Sequence, residues 1–432
     1  MRTDTPMLLL SHSASSQDAQ HADDSSEKQA GADQSSKTSE DSLTIEAPAQ
    51  SRPDEAIDIR IVGAPPGEPV EFSATIRDSD GVEWRSSATF VADAEGVVNL
   101  AGQRPTSGSW DGSEPMGWLW SMRADEDQPV TALMTAEPTT VELQASAGGH
   151  TATRSITRAV NDGITATDVD RHGIVGTVYE PADSGPHPGV LVLHPSGGSS
   201  VAFTAALLAE HGFTAFALDY IGDHDALPDR IRRVPLDYFD EGAQWFRSHP
   251  GVADGPLGIV GHSRGAEVGL RLAATREWAG PVVSYVGSPV IWNTPMGEPA
   301  WLDADGDPLP FVDGQGKPTL CEGQLDEADA EAVREATTHV EAIDGPVCFI
   351  SGGEDPIWPA SRLAELGIDR LDGANFDHAY EHRRYDDAGH FITPPYLPKS
   401  ADLFGGPVAT MARADADAWP AVLDCLDRGL RG

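Results

Sequence analysis

The chain has 432 residues, 39% of them apolar, which is enough for a large core and too long for one ordinary domain. Its 69 Asp and Glu against 29 Lys and Arg give a formal net charge of −40. That excess argues against nucleic acid or an anionic membrane as a ligand, because the field around the protein repels phosphate.

Lysine is nearly absent: Lys28, Lys37, Lys317 and Lys399 are the only four, and two of them fall in the first 42 residues. Acidic residues spread through every segment, with Arg kept and Lys lost, read as adaptation to a salt-filled cytoplasm. At molar ionic strength the Debye length is about 3 Å, so neighbouring carboxylates hardly repel each other. Cys321, Cys348 and Cys425 are odd in number and widely spaced, so neither a disulfide framework nor a metal-ligand pattern is expected. No window approaches the roughly 18 apolar residues needed to span a bilayer, and Met7–Leu10 is too short for a signal peptide. A cytoplasmic protein is expected, with no membrane partner; nothing in the sequence sets its oligomeric state.

Residues 1–42, rich in Ser, Asp, Gln and Ala, show no hydrophobic period and are expected to form a disordered acidic tail. Residues 43–157 change to short alternating runs broken by turns, such as Val70-Glu71-Phe72-Ser73-Ala74-Thr75-Ile76 and Thr140-Val141-Glu142-Leu143-Gln144-Ala145. With the hairpin turn Asp78-Ser79-Asp80-Gly81 between strands, this predicts an all-β, immunoglobulin-like sandwich domain. From residue 165 to 432, apolar strands alternate with helix-length segments, which predicts an α/β fold with a parallel sheet. The expected core strands are Gly173–Tyr179, Gly189–His194, Thr214–Asp219, Leu257–Gly261, Val282–Gly287 and Val347–Ser351. The long insert from Ser288 to about Gly345, rich in Asp, Gly and Pro, is a candidate cap over a site. Its Asp303-Ala304-Asp305-Gly306-Asp307 run fails the twelve-residue calcium-loop pattern, since Pro308 replaces the required Gly and Gly314 the bidentate Glu.

The sharpest feature is Gly258-Ile259-Val260-Gly261-His262-Ser263-Arg264-Gly265-Ala266-Glu267, an apolar strand running through Gly-x-Ser-x-Gly into a helix. That context fits a nucleophile elbow, in which Ser263 sits on a strained strand-to-helix turn. A serine hydroxyl needs a base, and the base an orienting acid; in this fold both follow in the order Ser, acid, His. Asp355 ends the apolar strand around Cys348-Phe349-Ile350 and lies 92 residues after Ser263, with Glu354 as its rival. His390 follows 35 residues later on a loop after the last strand; His378 and His382 are earlier competitors, and Asp386 and Asp387 read as surface charges. For the oxyanion, the expected donors are the Arg264 N–H and one from Ser196 or Gly197 in the loop His194-Pro195-Ser196-Gly197-Gly198. No cofactor or metal is expected.

The chain resembles the acyl-CoA thioesterase and bile acid-CoA:amino acid N-acyltransferase family from about residue 45 to its end. The resemblance rests on Ser107-Gly108-Ser109-Trp110 with Glu114-Pro115-Met116-Gly117-Trp118-Leu119-Trp120, and on Ser263-Arg264-Gly265-Ala266-Glu267. It continues in Asp387-Ala388-Gly389-His390-Phe391-Ile392-Thr393-Pro394-Pro395-Tyr396, in Phe404-Gly405-Gly406-Pro407 and in Asp417-Ala418-Trp419. It implies a β-sandwich packed on an α/β-hydrolase domain, an acyl-CoA substrate, and a nucleophile, acid and base on Ser263, Asp355 and His390. Serine rather than cysteine at the nucleophile implies hydrolysis. Transfer of the acyl group to an amine, and hydrolysis of oxygen esters or lactones by the same residues, are the alternatives. Arg264 departs from the Lys often found there in the family. The Trp-rich motif is expected to pack in the core. Arg230, Arg232 and Arg233 are candidates for the CoA phosphates or for surface ion pairs.

Overall fold

The computed structural model describes residues 42–124, 133–198, 201–316, 322–399 and 404–432. Cys321 and the first 41 residues lie outside the described residues.

The β-rich N-terminal region follows directly from its alternation. In Pro69–Arg77, the side chains of Val70, Phe72, Ala74 and Ile76 are buried, while Glu71 between them is exposed. This strand pairs antiparallel with Glu83–Val91 on one side and Thr139–Ala147 on the other. The turn between the first two is held by Asp78, whose carboxylate accepts from the backbone N–H of Asp80 and Val82 and from Trp84 Nε1. Thr139–Ala147 pairs in turn with His150–Arg158 across Gly148-Gly149, both glycines at positive φ, as a two-residue hairpin requires. A second sheet, of Thr44–Glu46, Arg60–Val62 and Val98–Asn99, shares an apolar core with the first. Trp110, Trp118 and Trp120 are buried in that same core, and Gly117 lies so close that a Cβ there would sit 2.4 Å from the Trp110 ring.

From residue 165 the chain builds one eight-stranded sheet: Thr165–Arg171, Ile174–Glu180, Gly189–Leu193, Thr214–Asp219, Leu257–His262, Ala279–Tyr285, Val347–Gly352 and Tyr380–Tyr385. Numbered along the chain, their order across the sheet is 1-2-4-3-5-6-7-8. The first two pairings are antiparallel and the rest parallel. This is the α/β-hydrolase fold. The central strands are continuous apolar runs because helices cover both faces. Ala202–Glu210 and Val408–Leu430 pack on one face, where the core runs without a break into the N-terminal sheets. Leu236–Arg247 and Arg264–Thr275 supply the second cluster.

The six expected core strands are present, with ends displaced by up to three residues. The two outer strands, Thr165–Arg171 and Tyr380–Tyr385, were not among them. The first is almost wholly exposed and the second carries Glu381, His382, Arg383 and Arg384, so neither shows an apolar signal. The insert after Ser288 contributes Trp301–Leu302, which pairs with Val234–Pro235, and the short helices Glu322–Glu327 and Ala330–Ala336. In its acidic loop, Asp303 accepts from the backbone N–H of Asp305 and Asp307, and no metal-binding cluster occurs among the described residues. Cys348 and Cys425 are buried, and burial pushes both thiols up. No helix among the described residues is long and apolar enough to cross a membrane.

Buried charge joins the N-terminal strands to the larger sheet. The Asp54 carboxylate, with its side chain 2% exposed, meets His211 Nε2 at 2.5 Å and accepts from Trp419 Nε1 at 3.0 Å. Burial alone would raise this carboxyl, but the hydrogen bonds and charges of His211, Trp419 and Arg52 hold it below the usual carboxylate value. Nearby, buried Arg158 donates to Ser51 Oγ and to the carbonyls of Pro53 and Glu55. A depressed folded-state value means that stability present above the unfolded pKa of about 4 is lost as pH falls through the folded one. Asp54→Asn is therefore expected to cost about 2–3 kcal/mol at neutral pH and to flatten the acid limb of the stability curve. Denaturant titrations of both proteins from neutral pH downward test this; parallel acid limbs would show that Asp54 does not carry the effect.

Candidate active site

Strand Leu257–His262 ends at Ser263, which adopts φ 55° and ψ −116°, and helix Arg264–Thr275 starts at the next residue. A non-glycine residue at positive φ is strained and persists only when its surroundings hold it there. Here the flanking glycines remove side chains that would not fit. A Cβ on Gly261 would lie 2.5 Å from the Gly265 carbonyl oxygen, and one on Gly265 would lie 2.3 Å from the Leu193 carbonyl oxygen. The Ser263 N–H donates to the Tyr285 carbonyl, and its own carbonyl accepts from Ala266 and Glu267.

The structure brings the three expected side chains together. His390 Nε2 stands 3.0 Å from Ser263 Oγ, and His390 Nδ1 stands 2.6 Å from Asp355 Oδ2. The other oxygen of Asp355 accepts from the backbone N–H of Ile357 and Trp358, which fixes the carboxylate in its turn. All three side chains are nearly enclosed, with His390 7% and Asp355 1% exposed. Glu354 points outward instead, and exposed Asp386 pairs with Arg384. His378 pairs with Asp344, and His382, on the last strand, hydrogen-bonds Ser351.

Arg264 is the first helical residue, so its N–H lacks an intrahelical acceptor. Ser196 and Gly197 line the same cavity as Ser263 and His390. The loop that carries them starts at His194, which is stacked on Tyr220 with centroids 3.9 Å apart. His194 Nδ1–H donates to the Pro195 carbonyl and Nε2 accepts from the Tyr220 N–H; burial pushes this imidazole down to about 4, so it is neutral.

The cavity beside Ser263 has a volume of about 280 Å³, and its apolar walls include Val192, Val260, Ile357, Phe391 and Phe404. Among the described residues, no Lys or Arg lines it. The Arg264 side chain is turned into the scaffold, donating to Glu267 and to the carbonyls of Trp292 and Asn293, with its guanidinium 5.6 Å from the Trp358 ring centroid. Arg230, Arg232 and Arg233 are exposed, the first beside Asp229 and the second 4.0 Å from Glu298.

Several contacts around the site carried no sequence signal. Glu267 is fully buried; burial raises its carboxyl, opposed by Arg264, Trp301 Nε1 and the Trp292 N–H. His262, the residue before the serine, donates from Nε2 to the Ile392 carbonyl at 2.8 Å; burial, with His390 and Lys399 nearby, pushes it down to about 3. Trp358 meets His390 edge to face at 6.2 Å. Such contacts join positions far apart in the chain and leave no local period to read.

Two family models match this chain: the acyl-CoA thioester hydrolase/BAAT N-terminal region over residues 54–171, and the BAAT/acyl-CoA thioester hydrolase C-terminal region over residues 234–432. The mouse (Mus musculus) mitochondrial acyl-coenzyme A thioesterase 2 is 31% identical over 404 residues, covering 87% of each chain. Rat (Rattus norvegicus) acyl-coenzyme A thioesterase 1 is 30% identical, over 91% of this chain and 98% of its own. The mouse peroxisomal succinyl-coenzyme A thioesterase is 29% identical, over 88% and 95%. Among solved structures, a dienelactone hydrolase from Anabaena variabilis aligns over 62% of this chain and all of its own, at 18% identity and a TM-score of 0.35. The chain belongs to the acyl-CoA thioester hydrolase/BAAT family of hydrolases.

Proposed function

We propose that this protein hydrolyses acyl-CoA thioesters to the free acid and CoA through an acyl-enzyme on Ser263. The observation that carries the reading is the hydrogen-bonded line Ser263–His390–Asp355 opening onto an apolar cavity, in a chain of this family. His390 Nε2 takes the Ser263 proton as Oγ adds to the thioester carbonyl carbon. The oxygen that gains the charge meets the Arg264 N–H and the Ser196–Gly197 loop. The C–S bond breaks and CoA leaves with the proton from His390. Water, deprotonated by the same imidazole, then attacks the acyl-serine and restores Ser263. Asp355 holds the Nδ1–H tautomer and stabilises the imidazolium throughout.

Serine as nucleophile supports water over an amine as the acceptor. The cavity supports an aliphatic acyl group: a second carboxylate, as in a succinyl thioester, would meet mainly apolar walls and no Lys or Arg among the described lining residues. Within an apolar cavity each added methylene contributes roughly 0.8 kcal/mol, or about four-fold in kcat/KM, until the space is filled. Thiol release from a series of acyl-CoAs is therefore expected to rise with chain length, to be weak with succinyl-CoA, and to vanish in Ser263→Ala. A folded Ser263→Ala variant keeping more than a few per cent of wild-type kcat would overturn the nucleophile. Preferential turnover of an oxygen ester, or amide formation with added glycine, would redirect the reading to the alternatives.

The charge of −40 supports a working environment of concentrated salt. The thermal midpoint should climb as KCl is raised from about 0.2 M to about 3 M, as carboxylate repulsion is screened. A midpoint indifferent to salt would remove that part of the reading.

A further inference from the structure

In a chain with four lysines, one is wholly enclosed: Lys399 has 0% side-chain exposure and lies 2.5 Å from Asp415, also at 0%. Taking two charges out of water is expensive, and such a pair is retained only where every donor and acceptor is used. Here that condition holds. The three ammonium protons have three acceptors: Asp415 Oδ2, the Phe391 carbonyl at 3.1 Å and Thr393 Oγ1 at 2.7 Å. The second oxygen of Asp415 accepts from the Thr393 N–H at 2.9 Å. The ammonium also lies 4.8 Å from the Phe391 ring centroid.

These partners are the residues that immediately follow His390. Two further bonds complete the set: the His390 N–H donates to the Phe404 carbonyl at 2.7 Å, and His262 donates to the Ile392 carbonyl. Four successive residues, 390 to 393, are thus each fixed by a hydrogen bond, and two of the four depend on the ion pair. Asp415 stands on helix Val408–Leu430, which packs against the central strands. The pair therefore ties the base-bearing segment to a rigid element rather than leaving it as a surface loop.

We propose that Lys399 and Asp415 are positioning residues that hold the His390 segment at the distance and angle needed to take the Ser263 proton. The inference rests on the acyl-enzyme reading above. Neither residue touches substrate or reacting atoms. Their contribution is geometric, and a displacement of about 1 Å in a catalytic group can cost on the order of a hundred-fold in rate.

Removing one partner alone strands a buried charge and is expected to unfold the protein, so the informative variant is Lys399→Met with Asp415→Asn, which removes both charges and roughly keeps volume. Four quantities would be measured for wild type and double variant: the thermal midpoint, kcat and KM for octanoyl-CoA, and the rate at which an alkyl fluorophosphonate modifies Ser263. The expected result is a folded double variant with KM within about three-fold of wild type, kcat lower by ten- to a hundred-fold, and phosphonylation slowed in parallel. Thr393→Val, which removes only the hydroxyl that Lys399 engages, should lower kcat by a smaller factor, and carries the test if the double variant does not fold. A folded double variant with wild-type kcat and phosphonylation rate would overturn the proposal. So would a raised KM with kcat intact, since the pair would then shape the acyl cavity and not the base. If wild type reacts with the phosphonate but releases no thiol from octanoyl-CoA, the substrate reading fails while the phosphonylation rates still decide this one. Folded wild type inert to the phosphonate would remove both.

Discussion

One strained residue sets the geometry of the whole site. Ser263 at φ 55° lies on the steep side of the backbone map, and the strain, of order 1–3 kcal/mol, is held by what surrounds it. The sheet fixes the strand before it and the helix fixes the chain after it. Gly261 and Gly265 allow backbone from both sides to close in to distances that no Cβ would tolerate. In return the serine side chain is held clear of the strand and the helix N-terminus is brought beside it. The Arg264 N–H, first in the helix, is then left without an intrahelical acceptor. A serine in an ordinary strand or helix would offer neither.

Charge is distributed on two different principles. On the surface the acidic residues are numerous and many stand without a partner of opposite sign, which concentrated salt tolerates. Inside, Glu267, Lys399 and Asp415 are wholly buried and each is held by hydrogen bonds. Glu267 illustrates this: it lies in the first turn after Ser263 with no exposure, and binds Arg264, Trp301 and Trp292. The guanidinium uses two nitrogens to reach Glu267 and the carbonyls of Trp292 and Asn293, and so staples the elbow to the insert. A lysine, as a single point donor, would not span those acceptors, so Arg264 is more than a stand-in for the Lys often found there.

What could be read from the sequence depended on how local the cause was. The central strands are buried on both faces and therefore appear as unbroken apolar runs; Leu257–His262 with its Gly-x-Ser-x-Gly is the clearest case. The outer strands Thr165–Arg171 and Tyr380–Tyr385 face water and carry charge, and their pairing comes from the neighbouring strand rather than from their own composition. Ser263, Asp355 and His390 were legible as a set because each follows a strand, and strand ends in a parallel sheet converge at one edge. The choice between Glu354 and Asp355 rested on a one-residue difference in a turn; in the structure Asp355 faces His390 and Glu354 faces solvent. The ties around His390 were not legible. Lys399 and Asp415 sit on opposite sides of the Phe404-Gly405-Gly406-Pro407 turn, and no periodicity announces that they meet.

The N-terminal strands are built into this scaffold and are not a separate attachment to it. Helix Val408–Leu430 turns Asp415 towards the His390 segment, and it presents Arg413 to Glu114 and Trp419 to Asp54. The Lys399 N–H donates to the Trp120 carbonyl, so the buried lysine is itself anchored to the Trp-rich segment of the N-terminal region. Met134, between the N-terminal strands, lines the cavity beside Ser263. One helix therefore contacts both the His390 segment and the β-rich region. The His390 segment and the Trp-rich segment thus meet at Lys399, whose side chain holds Phe391 and Thr393 and whose N–H holds the Trp120 carbonyl.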